Sequence, residues 1–255
     1  MTVNELYCAL EARIPKSLSC DWDNDGLMCC PDRDRAVSRV LVTLDITAAA
    51  VERAIAEDYD LIVSHHPLIF SPLSAVAAGE AVADRVIRLL GAGISAMSFH
   101  TRLDAVEGGV NDVLAERLGL TDVTAFGQNG ETIGRIGTLP SPMSLVDFAR
   151  LVKAATGAEH VQISDAGLPV HRVALLGGGG SGDAPAAQAA GADTYLTGEL
   201  KHHQLTEAPE RGMNLVMGGH FYTENPVCER LREMLLAIDP SLTITLYNSN
   251  PVRFV

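Results

Sequence analysis

Two stretches of the chain, RVLVTLDITAAAVERAIAEDYDLIVSHH from Arg39 and RVALLGGGGSGDAPAAQAAGADTYLTGE from Arg172, align without a gap. Each opens on Arg-Val and each reaches an aspartate 21 residues later, at Asp60 and Asp193. In the first copy, residues 39–47 read as a buried strand and Thr47 to Asp60 as an Ala-rich helix. Leu61 to Val63 reads as a second strand buried on both faces, which makes a β-α-β unit. Further on, His100 is followed by Asp104 and a helix, and His220 by Glu224 and a helix, so both copies carry His-x3-acid at a strand-to-helix junction. Two features in the same order imply a duplicated unit. The expectation is an α/β protein of two similar domains, residues 1–125 and 126–255, each a mixed central sheet flanked by helices.

The first copy ends on LIVSHHPLIF. Pro67 has no N–H with which to continue a ladder, so the strand closes near His66. There the chain is turning, and both imidazoles can be aimed at one point beyond the carboxyl edge of the sheet, where open α/β sheets keep their sites. Alternatively, one ring packs and the other caps the turn. The second copy places Gly198 and Glu199 opposite His65 and His66. If paired halves pack about a pseudo-two-fold, His65, His66, Asp104, His220 and Glu224 come together. Three imidazoles and two carboxylates suit two divalent ions of zinc, iron, manganese, cobalt or nickel. Spacing alone also admits ordinary strand-end polar groups.

Several local motifs have simpler readings. Thr2 with Glu5, and Ser144 with Asp147, are helix-start patterns, and Pro15 and Gly157 mark helix ends. A helix is expected from Val110 to Leu118, and strands at residues 94–99, 135–139, 160–164 and 172–176. DWDNDGLMCCPD, residues 21–32, imitates a calcium loop but has Asp32 after Pro31 where a bidentate Glu is required, so Asn24-Asp25-Gly26 reads as a tight turn with local Asx bonds. GGGGSG at 177–182 is either an anion nest or a flexible turn. His202 and His203 stand at a helix start, lining a cavity or lying on the surface.

Composition limits the function. A net charge of −13 disfavours nucleic acid, whose binding needs clustered Lys and Arg. No apolar run approaches the roughly 20 residues of a membrane span, and the first residues lack the apolar core of a signal peptide. Five cysteines without CxxC spacing fit reduced thiols, so the expected compartment is the cytoplasm.

WDNDGL at 22–27, VSHHPLIF at 63–70, SFHTRLD at 98–104, TGELKHH at 197–203 and GHFYTE at 219–224 together resemble the Nif-three-like family of GTP cyclohydrolase type-two homologues. The resemblance covers nearly the whole chain. It implies two similar α/β domains with a dinuclear metal centre between them, ligated by His65, His66, Asp104, His220 and Glu224, and a toroidal homohexamer. Asp25 and the Cys29-Cys30 pair depart from the family pattern and bear on that loop alone. Two functions follow as expectations: a metal-dependent hydrolase of a small substrate such as GTP or another purine nucleotide, with His100 shuttling a proton, or a non-catalytic metal-binding scaffold or regulator.

Overall fold

The computed structural model describes residues 1–128 and 132–253. Helix α1 (Val3–Arg13) opens with the capping box that Thr2 and Glu5 encode: the Thr2 hydroxyl accepts from the Glu5 N–H at 3.2 Å, and the Glu5 carboxylate accepts from the Thr2 N–H at 2.9 Å. Strands β1 (Gly26–Cys29) and β2 (Arg39–Thr43) follow. The second is shorter than the expected 39–47, because Thr47 leaves the strand to cap helix α2 (Ala48–Ala56). Next come β3 (Leu61–Ser64), α3 (Ala81–Ala92), β4 (Ser95–Ser98), the short α4 (Thr101–Ala105) and α5 (Val110–Arg117).

Strands β5 (Thr121–Phe126) and β6 (Gly134–Met143) form a hairpin. The latter runs on past Leu139, crossing Pro140 and Pro142 where its register with the neighbouring strand is broken, the place where missing N–H groups are tolerated. Helix α6 (Leu145–Thr156) lies between the Ser144 cap and a left-handed Gly157. Then come β7 (Gln162–Ser164), β8 (Val170–Leu176), α7 (Ala184–Ala189), β9 (Thr194–Thr197) and α8 (His202–Glu210). The chain continues through β10 (Asn214–Met217), α9 (His220–Glu224), α10 (Val227–Ile238) and β11 (Thr243–Tyr247).

The chain divides into two compact units: Met1–Val106 with Val227–Val252, and Glu107–Pro226 with Arg253. This departs from a split at 125/126. After α9 the chain returns to the first sheet, where β11 runs parallel to β2 from the Thr243–Arg39 pair to the Tyr247–Thr43 pair, and α10 packs on β2 and α1. Strand β5 belongs to the other sheet, which moves the first boundary back to Val106.

Both sheets are mixed. The first has the order β1-β4-β3-β2-β11 with only β1 antiparallel, and the second has the order β5-β6-β8-β9-β10-β7, parallel across β8, β9 and β10. In the first unit one sheet face, with Leu41, Ile62 and Ala96, packs against Ala50, Val51 and Ala54 of α2 and Val86 and Leu89 of α3. In the second unit the two-residue alternation along β8 is explicit. Val173 and Leu175 pack with Phe148 and Val152, while Ala174 and Leu176 share the opposite cluster with Ala184 and Ala187.

The duplication is visible in register. Val40 pairs with Leu61 and Val173 with Thr194, the same 21-residue offset in each copy. Asp60 accepts from the Ser38 and Arg39 N–H groups at 2.9 and 3.0 Å, and Asp193 from those of His171 and Arg172 at 3.1 and 2.7 Å. The repeated aspartate thus ties the start of one strand to the start of the next. The His-x3-acid correspondence is one residue out of step. Ser98 pairs with Ser64 and Met217 with Thr197, so counting from the strands aligns His100 with Gly219 and Asp104 with Thr223. His100 caps α4, whereas His220 is the first residue of α9. One residue on a helix is a rotation of about 100°, so the two acids occupy different positions.

Candidate metal centre

In the first unit β3 delivers His65 and His66 at its carboxyl end, as the apolar run stopped by Pro67 requires. His65 is fully buried. Its Nδ1 lies 3.0 Å from the Phe99 carbonyl oxygen, which can only accept, so Nδ1 carries a proton and donates it there. That Nε2 lies 3.9 Å from Asp104 Oδ1. His66 Nδ1 donates to Asp45 Oδ1 at 2.7 Å, and Ser249 holds Asp45 by accepting from its N–H at 3.1 Å. His100 Nδ1 donates to Asp23 Oδ1 at 2.8 Å. The three rings stand 4.9 to 5.7 Å apart, centroid to centroid, and His65, His66 and His100 form a group that can hold a metal ion.

Two anchors fix α4, which carries Asp104. Asp23 accepts from the Thr101 N–H and hydroxyl as well as from His100. Burial alone would raise the Asp23 carboxyl, but these hydrogen bonds outweigh it and hold the group well below the usual carboxylate range. The Arg102 guanidinium, fully buried, donates to Asp25 at 2.9 Å, to the Ile14 carbonyl at 3.1 Å and to Glu11, and lies over the Phe99 ring. Asp25 also accepts from the His100 N–H, Ser19 and Lys16. Asp25 is therefore the hub of a buried ion network, not the Asx residue of a local turn.

In the second unit, α9 carries His220 and Glu224. His220 Nε2 lies 3.1 Å from Glu224 Oε2, and its Nδ1 lies 3.2 Å from Glu199 Oε1. Glu224 is buried. The glycine run explains how it fits. Gly178 has φ +64°, and a Cβ there would overlap Glu224 Oε1 and come within 3.0 Å of His220 Nε2. A Cβ on Gly198 would lie 2.7 Å from the His220 Cα. The N–H groups of Gly177, Gly178 and Gly180 donate to Asn111, Thr223 and Thr197. These three are committed within the protein, and this part of the run packs as a cradle for a carboxylate. His202 and His203 are exposed on α8.

Sequence reasoning passed over Asp23, Asp45, Glu199, Arg102 and Thr223, all of which act on other residues of the site. Asp23 and Asp25 sat in the acidic run that imitates a calcium loop. Asp45 is aligned with Gly178 in the ungapped repeat, and that aspartate-for-glycine exchange was the available signal.

Residues 1–251 match the model of the Duf34/NIF3 (NGG1p interacting factor 3) family. The chain belongs to this family. Among relatives, a Nostoc sp. protein named GTP cyclohydrolase 1 type 2 homolog is 40% identical over 207 residues, 79% of each chain. Protein NIF3 homolog of Schizosaccharomyces pombe is 31% identical over 271 residues, covering 98% of this chain and 96% of its own. Among solved structures, Staphylococcus aureus protein SA1388 superposes with a TM-score of 0.88 at 26% identity, covering 100% of this chain and 99% of the other. Family membership fits the two mixed sheets flanked by helices. Among the described residues no helix is long and apolar enough to cross a membrane.

Proposed function

We propose that this chain is a metal-dependent hydrolase of a small substrate such as GTP or another purine nucleotide, in which His65, His66, Asp104, His220 and Glu224 together hold two divalent ions. One observation carries the reading: in His65 and His66 the Nδ1 atom is engaged by an oxygen acceptor, which turns Nε2 to the other side of the ring, and in His220 Nδ1 faces Glu199 while Nε2 lies 3.1 Å from Glu224, a fellow ligand of the proposed set. Metal-binding histidines use this arrangement, the outer hydrogen bond fixing both tautomer and ring orientation. Imidazole and carboxylate donors without a thiolate suit zinc, iron, manganese, cobalt or nickel. When bound, such ions polarise a substrate oxygen and acidify water toward neutrality.

The chain's own groups do the rest. Asp45 and Glu199 orient His66 and His220, and the glycine cradle seats Glu224. His100, tied to the Asp23 carboxylate, exchanges the proton with the reacting group. The relatives' name, GTP cyclohydrolase 1 type 2 homolog, supports the nucleotide as substrate class. A homohexamer in the cytoplasm completes the proposal. The test is turnover of GTP and related nucleotides by metal-loaded protein, with chelated protein as control. His100→Ala is expected to retain its metal while turnover falls about a hundredfold. No turnover of any nucleotide by the loaded protein would leave a non-catalytic metal-binding scaffold. Light scattering that gives a monomer would remove the hexamer.

A further inference from the structure

Most aromatic side chains of the described chain are buried or half-buried; two are exposed, Trp22 at 60% and Phe70 at 51%. They are not scattered. Their centroids lie 6.1 Å apart, edge to face, and each is within about the same distance of the His100 imidazole, Trp22 at 6.1 Å and Phe70 at 5.9 Å. Even with these edge-to-face contacts, more than half of each side chain stays exposed, so the two rings keep apolar area in solvent beside the His65, His66 and His100 group. Leaving such area wet costs hydrophobic free energy that an ordinary surface would avoid.

The loops carrying the rings are fixed. The Asn24 side-chain amide donates to the Ile69 carbonyl at 2.5 Å, tying the Trp22 loop to the Phe70 loop. The Cys20 N–H donates to the Thr101 hydroxyl at 2.9 Å, and Asp23 holds His100 and Thr101. A ligand meeting this pair therefore needs little ordering of the protein.

We propose that Trp22 and Phe70 form a stacking site for a planar heteroaromatic ring, which seats the base of a purine-type substrate against the imidazole group. Base-aromatic stacking tolerates many rings because every base presents a π-face, so the pair selects for a flat ring and not for one hydrogen-bond pattern. This rests on the hydrolase reading for its substrate class, but binding and turnover are separately measurable.

Trp22 is the only tryptophan in the chain, so emission excited at wavelengths that tyrosine does not absorb reports on this site alone. Guanosine and GTP titrated into metal-loaded protein are expected to quench it saturably, while ribose 5-phosphate and inorganic triphosphate leave it unchanged. Phe70→Ala should weaken guanosine binding about tenfold or more, with metal content unaltered, and Trp22→Ala should do the same by calorimetry. Absence of saturable quenching by guanosine overturns the proposal, as does equal quenching by triphosphate alone. So does a fluorescence change with protein concentration in the absence of ligand, which would mean that a second copy covers the rings. Guanosine bound and GTP never hydrolysed would sink the hydrolase and keep the stacking site. GTP hydrolysed with an unchanged KM in Phe70→Ala would do the reverse.

Discussion

The two strand-helix-strand copies, β2-α2-β3 and β8-α7-β9, share register and the bracketing aspartate but end in opposite ways. In the first, the strand ends carry side chains: Asp45 after β2, and His65 and His66 after β3. In the second, Asp45 and His65 are matched by Gly178 and Gly198, and the space is taken by Glu224 and His220 from α9, while Glu199 stands at the His66 position and faces the His220 ring. One scaffold thus supplies candidate ligands by two routes. The first copy places imidazoles on the strand ends directly. The second clears Gly178 and Gly198 so that α9 can enter. The helices that follow are also anchored differently. In the first unit Arg102 and its buried carboxylates fix α4. In the second the Thr223 hydroxyl fixes α9, accepting from the Gly178 N–H at 3.0 Å and donating to the Gly219 and His220 carbonyls.

The largest expected effect falls on the ionic anchor. Arg102→Met leaves Asp25 buried without its guanidinium, and breaking a buried pair from one side costs about 3–5 kcal/mol, to be read by denaturant unfolding. A loss below the level of a surface substitution would mean that α4 is held by packing alone. Next is the glycine cradle. Gly178→Ala adds the strain of a left-handed alanine to a clash with Glu224, together about 2–5 kcal/mol, and should lower metal content. The matched change Asp45→Gly in the first copy should leave the fold far less affected. Equal losses in the two variants would erase the contrast between filled and emptied strand ends.

Smaller effects belong to what the copies share. Asp60→Asn and Asp193→Asn each weaken charged hydrogen bonds to backbone N–H groups, for about 1–3 kcal/mol. Asp60 should lose the more, because it also pairs with Arg35 at 3.0 Å. The pH dependence has a definite sign. Burial raises the Asp60 carboxyl, but the Ser38 and Arg39 N–H groups and Arg35 outweigh it and hold it below the free aspartate value. Its contribution is therefore complete above the unfolded value of about 3.9 and is lost as pH falls through the depressed folded value. Asp60→Asn should flatten the acid limb of the stability curve there, and an unchanged limb would contradict the bracket. The smallest effect on stability is expected from Asp45→Asn. It should barely move the unfolding midpoint yet weaken metal binding roughly 10- to 100-fold, as loss of an outer-shell partner does. Titration with a divalent ion checks it.

The fold was legible where the signal was periodic or repeated. The ungapped Arg39 and Arg172 alignment carried the parallel crossover in both copies, and Thr2, Ser144 and Gly157 marked helix ends through local backbone chemistry that needs no tertiary context. The return of α10 and β11 to the first sheet was not legible, because strand order depends on which edge is open and not on the strand's own sequence. The site was legible to the extent that strand ends and Pro67 locate His65 and His66. Its supporting groups were hidden for a common reason. Asp23 acts on His100, Glu199 on His220 and Arg102 on Asp25, and each partnership is made by folding between residues with no fixed spacing. Gly178 and Gly198 were harder still, since an emptied position shows its purpose only beside the side chain that fills the space.

Elemental analysis of protein purified without chelator tests the central claim most directly, comparing the wild type with His65→Ala and Glu224→Ala, one proposed ligand from each copy. The expected result is roughly two divalent ions per chain in the wild type and a loss of at least one in each variant, with both variants folded. A wild type that retains no divalent ion after incubation with zinc, iron or manganese, or variants that keep the full wild-type content, would contradict it.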